Sequence, residues 1–308
     1  MSDLTKFQGI FPAFYACYDG EGEVCLERVR ALVRYFIRKG VQGIYCNGSS
    51  GECIYQSVGE RKAIIEAVMD EARGKLVVIN HVACNNTRDS AELARHSQEV
   101  GVDAIASIPP IYFRLPEYAI AEYWNRISAA APDTDFIIYN IPQLAGTSLT
   151  PSLFNEMLKN PRVIGVKNSS MPTQDIQIFK SRGIAERGAF VLFNGPDEQF
   201  VAGRAIGADG GIGGTYGVMP DLFLMLDRMI REGESEKAIA LQYAINAIIS
   251  QLCSTRASLY AVAKEVLRIN ENLDIGGVRP PLTNLTPDDL PASRKAAAMV
   301  NAVRGRFR

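Results

Sequence analysis

The feature that most constrains the fold of this chain is a repeated alternation of short β-rich runs with longer segments of helical period. Between the first two runs, apolar residues such as Val29, Leu32 and Phe36 recur at spacings of three and four, which is typical of one buried helix face. Strands that alternate with helical crossovers predict a parallel sheet. The eight predicted strands lie at residues 9–18, 43–47, 75–82, 104–108, 136–140, 163–168, 189–194 and 210–214.

Eight strand-plus-helix units predict an α/β fold, a closed (β/α)₈ TIM barrel with additional C-terminal helices. An open doubly wound sheet is the alternative, but its first turn normally binds a pyrophosphate, and residues 19–23 (DGEGE) are acidic here. We expect residues 1–232 to form the barrel domain and residues 233–308 a helical extension packed on it. The helices after the last strand are predicted at residues 219–231, 235–252, 256–272 and 288–304.

Composition excludes several classes of protein. The 308 residues carry 33 basic and 34 acidic side chains, a formal charge of −1, so no basic surface for nucleic acid is predicted. The polar start MSDLTKFQ is unlike a signal peptide, and the uncharged segments 136–155 and 238–255 contain Pro, Gly, Asn or Gln that argue against membrane spans. Six cysteines without C-x-x-C spacing indicate free, mostly buried packing thiols. We therefore expect a cytoplasmic protein with neither a nucleic acid nor a membrane as partner.

One lysine stands out among the polar residues at the predicted strand ends, where barrels place their reacting groups. Lys167 follows the apolar run 163–166, where burial lowers the pKa of an ammonium and frees the amine as a nucleophile. This is typical of a lysine that forms a Schiff base. A lysine that reaches solvent or pairs with a carboxylate is the alternative. Tyr139 ends the preceding strand and is a candidate proton shuttle, its alternative being a structural phenol at the core edge.

The turn after the second strand reads GSSGE over residues 48–52. The hydroxyls of Ser49 and Ser50, with neighbouring backbone N–H groups, suit a carboxylate or phosphate, although Gly and Ser also dominate ordinary turns. A metal-dependent aldolase would hold its ion largely through histidines, and only His81 and His96 exist, so no metal site is predicted. The same scarcity argues against a Ser-His-Asp hydrolase, because neither serine has an obvious base.

Five features, in order along the chain, resemble the dihydrodipicolinate synthase and N-acetylneuraminate lyase group of pyruvate-dependent class I aldolases. The resemblance implies that Lys167 forms a covalent imine with pyruvate without any cofactor, and that Tyr139 moves protons. It implies further that Ser49 and Ser50 hold the pyruvate carboxylate, with Ser49 also linked to Tyr139. The five features are GSSGE (48–52), YNIP (139–142), the strand-six lysine, NGPDE (194–198) and GADGGIG (207–213).

The same resemblance assigns a role between subunits to Tyr112. In this group the matching tyrosine reaches into the neighbouring subunit's site, which implies at least a dimer and, by family habit, a homotetramer. The alternative is a surface aromatic residue on a loop.

Residues outside the shared motifs set the substrate within this group. Synthase members carry an arginine two residues after the proline of Tyr-Asn-x-Pro, where this chain has Leu144. Gly195, Asp197 and Glu198 are similar to the lyase pattern, in which the acidic pair accepts hydrogen bonds from the hydroxyl tail of a sialic acid. Ser169 keeps the hydroxyl of the usual threonine. The resemblance thus favours reversible cleavage of N-acetylneuraminate to pyruvate and N-acetylmannosamine, with a helix cap as the structural alternative for Asp197.

Three departures from the lyase pattern leave other functions open. Gly214, kept as a substrate-binding candidate, replaces a serine that lyases use on the sugar chain. Pro196 replaces an aromatic residue, and residues 16–18 (ACY) replace Thr-Pro-Phe. The alternatives are a 2-keto-3-deoxy sugar acid aldolase, a synthase-like enzyme of altered specificity, and a catalytically silent pyruvate-binding regulator. Retention of Lys167 and Tyr139 argues against the last.

Overall fold

The structure is a computed structural model that describes residues 3–307. Within those residues the chain alternates parallel strands with α-helices, and helices alone follow the eighth strand. The strands are β1 Gly9–Pro12, β2 Gly43–Cys46, β3 Val77–His81, β4 Ala104–Ser107, β5 Asp135–Asn140, β6 Val163–Asn168, β7 Val191–Asn194 and β8 Gly210–Gly213. The α-helices are α1 Leu26–Lys39, α2 Val58–Ala72, α3 Thr87–Val100, α4 Glu117–Ala130, α5 Pro142–Ala145, α6 Pro151–Met157, α7 Gln174–Arg187, α8 Phe200–Ala205, α9 Pro220–Arg231, α10 Ser235–Leu252, α11 Leu259–Glu271 and α12 Leu290–Arg306. Short 3₁₀ helices lie at Thr5–Phe7, Cys53–Tyr55, Asp197–Gln199 and Pro287–Asp289.

The eight strands form a barrel. Parallel pairing runs without interruption from β2 to β8, and β8 pairs with β1, where Gly9 lies beside Gly210. On the other side of β1, Ala13 forms a parallel bridge to Tyr45, and the backbone N–H of Phe14 donates to the carbonyl of Tyr45 at 2.9 Å. The predicted fold class, a TIM barrel with extra C-terminal helices, is confirmed.

The first strand is shorter than predicted. The sequence pattern extends over residues 9–18, but β1 ends at Pro12. Beyond Ala13 the extended chain leaves the barrel wall, and the N–H of Tyr18 donates instead to the carbonyl of Ile275 at 3.1 Å. A β-rich run whose hydrogen bonds go to a distant loop has the same local pattern as a barrel strand, so the prediction was wrong here. The other seven strands agree with prediction within two residues at each end.

The barrel interior is a packed apolar core. Inward-facing residues such as Ile79, Ile137 and Ile212 are buried in one cluster, and the rings of Phe11 and Phe193 meet edge to face with centroids 5.2 Å apart. Filling of this kind is expected for a barrel of eight strands. The polar side chains at the carboxyl end of the barrel therefore lie directly above a closely packed core.

The C-terminal helices pack against the barrel and one another. Ile245 on α10, Val262 on α11 and Val300 on α12 are buried in the same core cluster as the barrel helices. Helix α11 begins three residues later than predicted because Ser258 caps it, its hydroxyl accepting from the N–H of Tyr260. The division into domains at residue 232 stays a prediction. Nowhere in residues 3–307 does a helix combine the length and the apolar character needed to cross a membrane.

Candidate active site

A cavity of about 280 Å³ opens at the carboxyl ends of the strands. Most of its lining comes from the segments that follow β1, β2, β5, β6, β7 and β8, which closure of the barrel brings together. Tyr112 is the one predicted site residue that lies elsewhere. The cavity is lined by Ser49, Ser50, Tyr139, Lys167, Ser169, Gly195, Asp197, Glu198 and Gly214, among others.

Lys167 lies at the floor of this cavity with 4% of its surface exposed. Its Nζ is 4.1 Å from the ring centroid of Tyr45 and 3.9 Å from that of Tyr139. It forms no ion pair with any residue in the described part of the chain, so it neither reaches solvent nor pairs with a carboxylate. Burial lowers the pKa of Lys167 to about 7, opposed in part by the charge of Asp197. A large fraction of this amine is therefore neutral near neutral pH.

Tyr139 lies beside Lys167 because β5 and β6 pair with these two residues opposite each other. The hydroxyls of Ser49 and Ser169 lie near its buried phenol in the cavity lining. Burial raises the pKa of Tyr139 well above its ordinary value, and the two neighbouring hydroxyls oppose this rise only in part. The resting group is a neutral phenol close to two further hydroxyls, an arrangement that suits the transfer of a proton.

Ser49 and Ser50 of the GSSGE turn line the cavity, and each carries a hydroxyl and a backbone N–H group. The turn is closed by hydrogen bonds from the N–H of Gly51 to the carbonyl of Gly48 and from the N–H of Glu52 to the carbonyl of Ser49, both 3.0 Å. Within residues 3–307, the N–H groups of Ser49 and Ser50 donate to no protein acceptor. Four donors in one small turn can hold a carboxylate.

Asp197 is buried in the cavity wall. Its Oδ2 accepts from the N–H of Thr215 at 2.7 Å and from the hydroxyl of Thr215 at 2.5 Å. Burial raises the pKa of Asp197 to about 6, and the hydrogen bonds from Thr215 oppose the rise. Because its charge in turn raises the pKa of Lys167, this carboxylate contributes to the electrostatics of the amine. Its Oδ1 lies against Gly213, where an added Cβ would be 2.2 Å away.

The two members of the acidic pair have different surroundings. Asp197 is buried, whereas Glu198 is exposed at the mouth of the cavity. Asp197 does not cap a helix, since neither the 3₁₀ helix at 197–199 nor α8 has a side-chain cap. Side chains of α10 bind the backbone of the acidic pair. The side-chain amide of Gln242 donates to the carbonyl of Asp197 at 3.1 Å, and that of Asn246 donates to the carbonyl of Glu198 at 3.0 Å.

Several residues of the site were missed from the sequence. Tyr45 and Thr215 contact the predicted residues directly, and alternation along β2 could have placed the ring of Tyr45 inside the barrel. The other missed residues belong to the C-terminal extension and form one wall of the cavity. Nothing local to its sequence indicates this role, because the packing of α10 and α11 over the barrel decides it. These wall residues are Ile249, Cys253, Leu259 and Tyr260.

Two further predictions concern residues at the surface. Tyr112 is 89% exposed, has a left-handed φ of 86°, and packs edge to face on Phe113 with centroids 5.0 Å apart. All six cysteines are free, as predicted. The expectation that they mostly serve as buried packing residues is wrong, because only Cys17 and Cys46 are fully buried and Cys253 is exposed at the cavity mouth.

The described residues contain no cluster of three or more His, Cys, Asp or Glu side chains placed to hold a metal ion. His81 is buried beside β4, where its Nδ1 lies 3.0 Å from the carbonyl of Asn47, and its Nε2 accepts from the N–H of Ile108. Burial lowers the pKa of His81 well below its ordinary value. It is a neutral structural histidine.

The fold and this site define a barrel protein with a buried lysine of lowered pKa in a cavity at the carboxyl ends of its strands. The chain matches the model of the dihydrodipicolinate synthetase family over residues 6–300, and it belongs to that family. The resemblance identified from the sequence motifs is thus confirmed.

Particular members of the family are closely similar to the whole chain. The N-acetylneuraminate lyase of Mediterraneibacter gnavus is 60% identical over 307 residues, which cover 100% of this chain and 96% of the relative. That of Salmonella agona is 33% identical and covers 94% and 96%. Among solved structures, a catalytic lysine mutant of the Ruminococcus gnavus sialic acid aldolase has 60% identity, complete coverage of both chains and a TM-score of 0.98. The N-acetylneuraminate lyase of Fusobacterium nucleatum has 26% identity, covers 98% and 99%, and has a TM-score of 0.85.

Proposed function

We propose that this chain is a Schiff-base-forming lyase that reversibly cleaves N-acetylneuraminate to pyruvate and N-acetylmannosamine. The observation that carries the proposal is the buried amine of Lys167, with its pKa lowered to about 7, directly beside the phenol of Tyr139. Support also comes from the relatives, which are named as N-acetylneuraminate lyases and sialic acid aldolases. No cofactor takes part, since the imine itself accepts the electron pair of the broken bond.

The reaction uses the groups of the cavity in order. The neutral amine of Lys167 attacks the C2 ketone of the open-chain sugar acid, and loss of water gives the imine. As the bond between C3 and C4 breaks, its electron pair moves into the protonated imine to give an enamine. The phenol of Tyr139 relays the proton of the C4 hydroxyl, releasing its own proton as it takes up that one, so that one proton is set free for C3. The aldehyde leaves, C3 takes up a proton, and water releases pyruvate from Lys167. Ser49 links the phenol to the turn that holds the carboxylate.

The acceptor end of the cavity favours a hydroxylated chain over a second carboxylate. Gln143 and Leu144 line the side where synthases carry an arginine, and the described lining contains no arginine. Asp197 and Glu198 supply acceptors for hydroxyl groups, with Ser169 and Gly195 beside them. A carboxylate pair suits the polyhydroxyl tail of a sialic acid.

The decisive experiment offers N-acetylneuraminate and analyses the products. We expect pyruvate and N-acetylmannosamine in equal amounts, and a single reduced pyruvyl group on Lys167 after pyruvate and borohydride. Lys167→Ala should abolish both while keeping the fold, and Lys75→Ala, at an exposed lysine, should change neither. An adduct on another lysine contradicts the mechanism. If the protein cleaves only a shorter 2-keto-3-deoxy acid, it is a 2-keto-3-deoxy sugar acid aldolase instead.

The proposal includes a cytoplasmic homotetramer in which Tyr112 completes a neighbour's site. The exposure of this residue supports a contact with a second copy. Tyr112→Ala and Lys167→Ala chains, each inactive alone, should regain activity when refolded together, because a mixed pair contains one intact site. Mixed oligomers that stay inactive, or a protein that sediments as a monomer, would remove this part of the proposal.

A further inference from the structure

The carboxylate-binding turn does not hold its shape by local preference. Asn47, which directly precedes the GSSGE turn, and Glu52, its last residue, both have left-handed backbone angles, with φ of 53° and 54°. Such angles are unfavourable for residues other than glycine and persist only where the surroundings enforce them. The hydrogen bonds made by the side chains of Asn47 and Glu52 hold these backbone angles.

The first end of the turn is fixed by the barrel. The side-chain amide of Asn47 donates to the Oδ1 of Asn80 on β3 at 2.9 Å and to the carbonyl of Arg61 on α2 at 3.2 Å. All three residues are buried. This anchor therefore belongs to the rigid barrel.

The second end of the turn is fixed by the C-terminal extension. The Oε1 of Glu52 accepts from the Nζ of Lys264 on α11 at 3.0 Å, and its Oε2 accepts from the N–H of Arg279 at 2.9 Å. The side chains of Lys264 and Glu52 are 2% and 0% exposed. Lys264 also donates to the carbonyl of Gly277. The carboxylate of Glu52 is thus saturated by groups outside the barrel.

Helix α11 contacts the turn a second time, one helical turn before Lys264. The side chain of Tyr260 lies close to that of Ser50, whose hydroxyl opposes the rise that burial causes in the pKa of Tyr260. Both side chains lie near Gly214, where a methyl group in place of the glycine hydrogen would be 3.3 Å from the Oγ of Ser50 and 3.8 Å from the ring of Tyr260. Residues four apart lie on the same face of a helix. One face of α11 therefore holds both the serine and the far end of the turn.

We infer that Lys264, which does not line the cavity, is a positioning residue that holds the Ser49–Ser50 turn in shape for the substrate carboxylate through Glu52. The inference rests on the proposed function, since it assumes that this turn binds the carboxylate of pyruvate. The C-terminal extension then acts on pyruvate binding and is more than a support for the barrel.

The test replaces the ion pair and measures pyruvate binding apart from cleavage. Lys264→Met and the double variant Lys264→Met/Glu52→Gln are compared with wild type. The readout is the pyruvate concentration that gives half-maximal trapping on Lys167 by borohydride. We expect this concentration to rise about tenfold or more in both variants, because displacing a binding group by about 1 Å costs up to about a hundredfold. The maximal amount of trapped adduct should stay near that of wild type.

The double variant separates positioning from simple loss of stability. Lys264→Met alone leaves the buried carboxylate of Glu52 without its cation, which is strongly destabilising. The double variant removes both charges of this ion pair. We expect the double variant to recover thermal stability without recovering pyruvate binding. If the single variant does not fold, pyruvate binding is measured on the double variant alone. Recovery of pyruvate binding together with stability would overturn the inference.

Lys39→Met, at the end of α1, provides a matched control because it removes a different ion pair to helix α11. Lys39 pairs with Glu271 at the other end of α11 and with Asp221 on α9, both at 2.9 Å, and none of these contacts the turn. This variant should lose stability and keep the wild-type pyruvate concentration. A shift as large as that of Lys264→Met would overturn the inference by showing that any loosening of α11 suffices. Failure of wild type to trap pyruvate would contradict the proposed function itself.

Discussion

The pH dependence of imine formation follows directly from the burial of Lys167. With a pKa of about 7, its neutral fraction is about 0.1 at pH 6, about 0.5 at pH 7 and about 0.9 at pH 8. A lysine at the ordinary value of 10.5 would be neutral to only about 0.0003 at pH 7. Burial therefore increases the reactive form by about three orders of magnitude at neutral pH.

Asp197→Asn is the perturbation that tests this account. The charge of Asp197 raises the pKa of Lys167, so its removal should lower that pKa and move the midpoint of imine formation to lower pH. The neutral amine fraction should increase most at pH 6 to 7. Asp197 has a pKa of about 6, so the difference from wild type develops as the carboxylate ionises above that pH.

The assay measures the initial rate of pyruvate trapping with cyanoborohydride from pH 5.5 to 9, quantified by mass spectrometry. Glu198→Gln is the control, because this neighbouring carboxylate is exposed and is no cause of the shift at Lys167. Its midpoint should match that of wild type. A wild-type midpoint near 10, or a midpoint that rises in Asp197→Asn, would refute the reasoning.

Three other predictions concern neighbouring groups. Tyr139→Phe should still trap pyruvate but lose about a hundredfold or more in cleavage, because it lacks the proton shuttle; cleavage at the wild-type rate would exclude that role. Thr215→Val removes the hydroxyl that fixes Asp197 and should raise KM for the sialic acid while pyruvate trapping at pH 9, where Lys167 is neutral in both proteins, stays unchanged, which parallel kinetics would check. Dialysis against a chelator should leave turnover unchanged, and loss of turnover restored by zinc would favour a metal mechanism.

Much of the fold and the centre of the site could be predicted from local sequence. The periods of two and about 3.6 residues located the strands and helices, and their alternation predicted the barrel. The polar residues at strand ends then had to meet at one edge of the barrel. Lys167 was identified because an apolar strand leads directly to it, a property of consecutive residues. The error in β1 arose where the pattern continued but the hydrogen bonds went elsewhere.

The tertiary structure alone decided which groups surround these residues. Asp197 and Glu198 are adjacent in sequence, yet packing buries one and exposes the other, and Thr215 reaches Asp197 only because β7 and β8 are neighbours. The wall formed by α10 and α11 depends on how helices without a distinctive motif pack over the barrel. Glu52 and Lys264 are separated by 212 residues, and contacts at such separation arise from the sum of many packing interactions. No local pattern encodes them, because burial and partner are properties of the assembled fold.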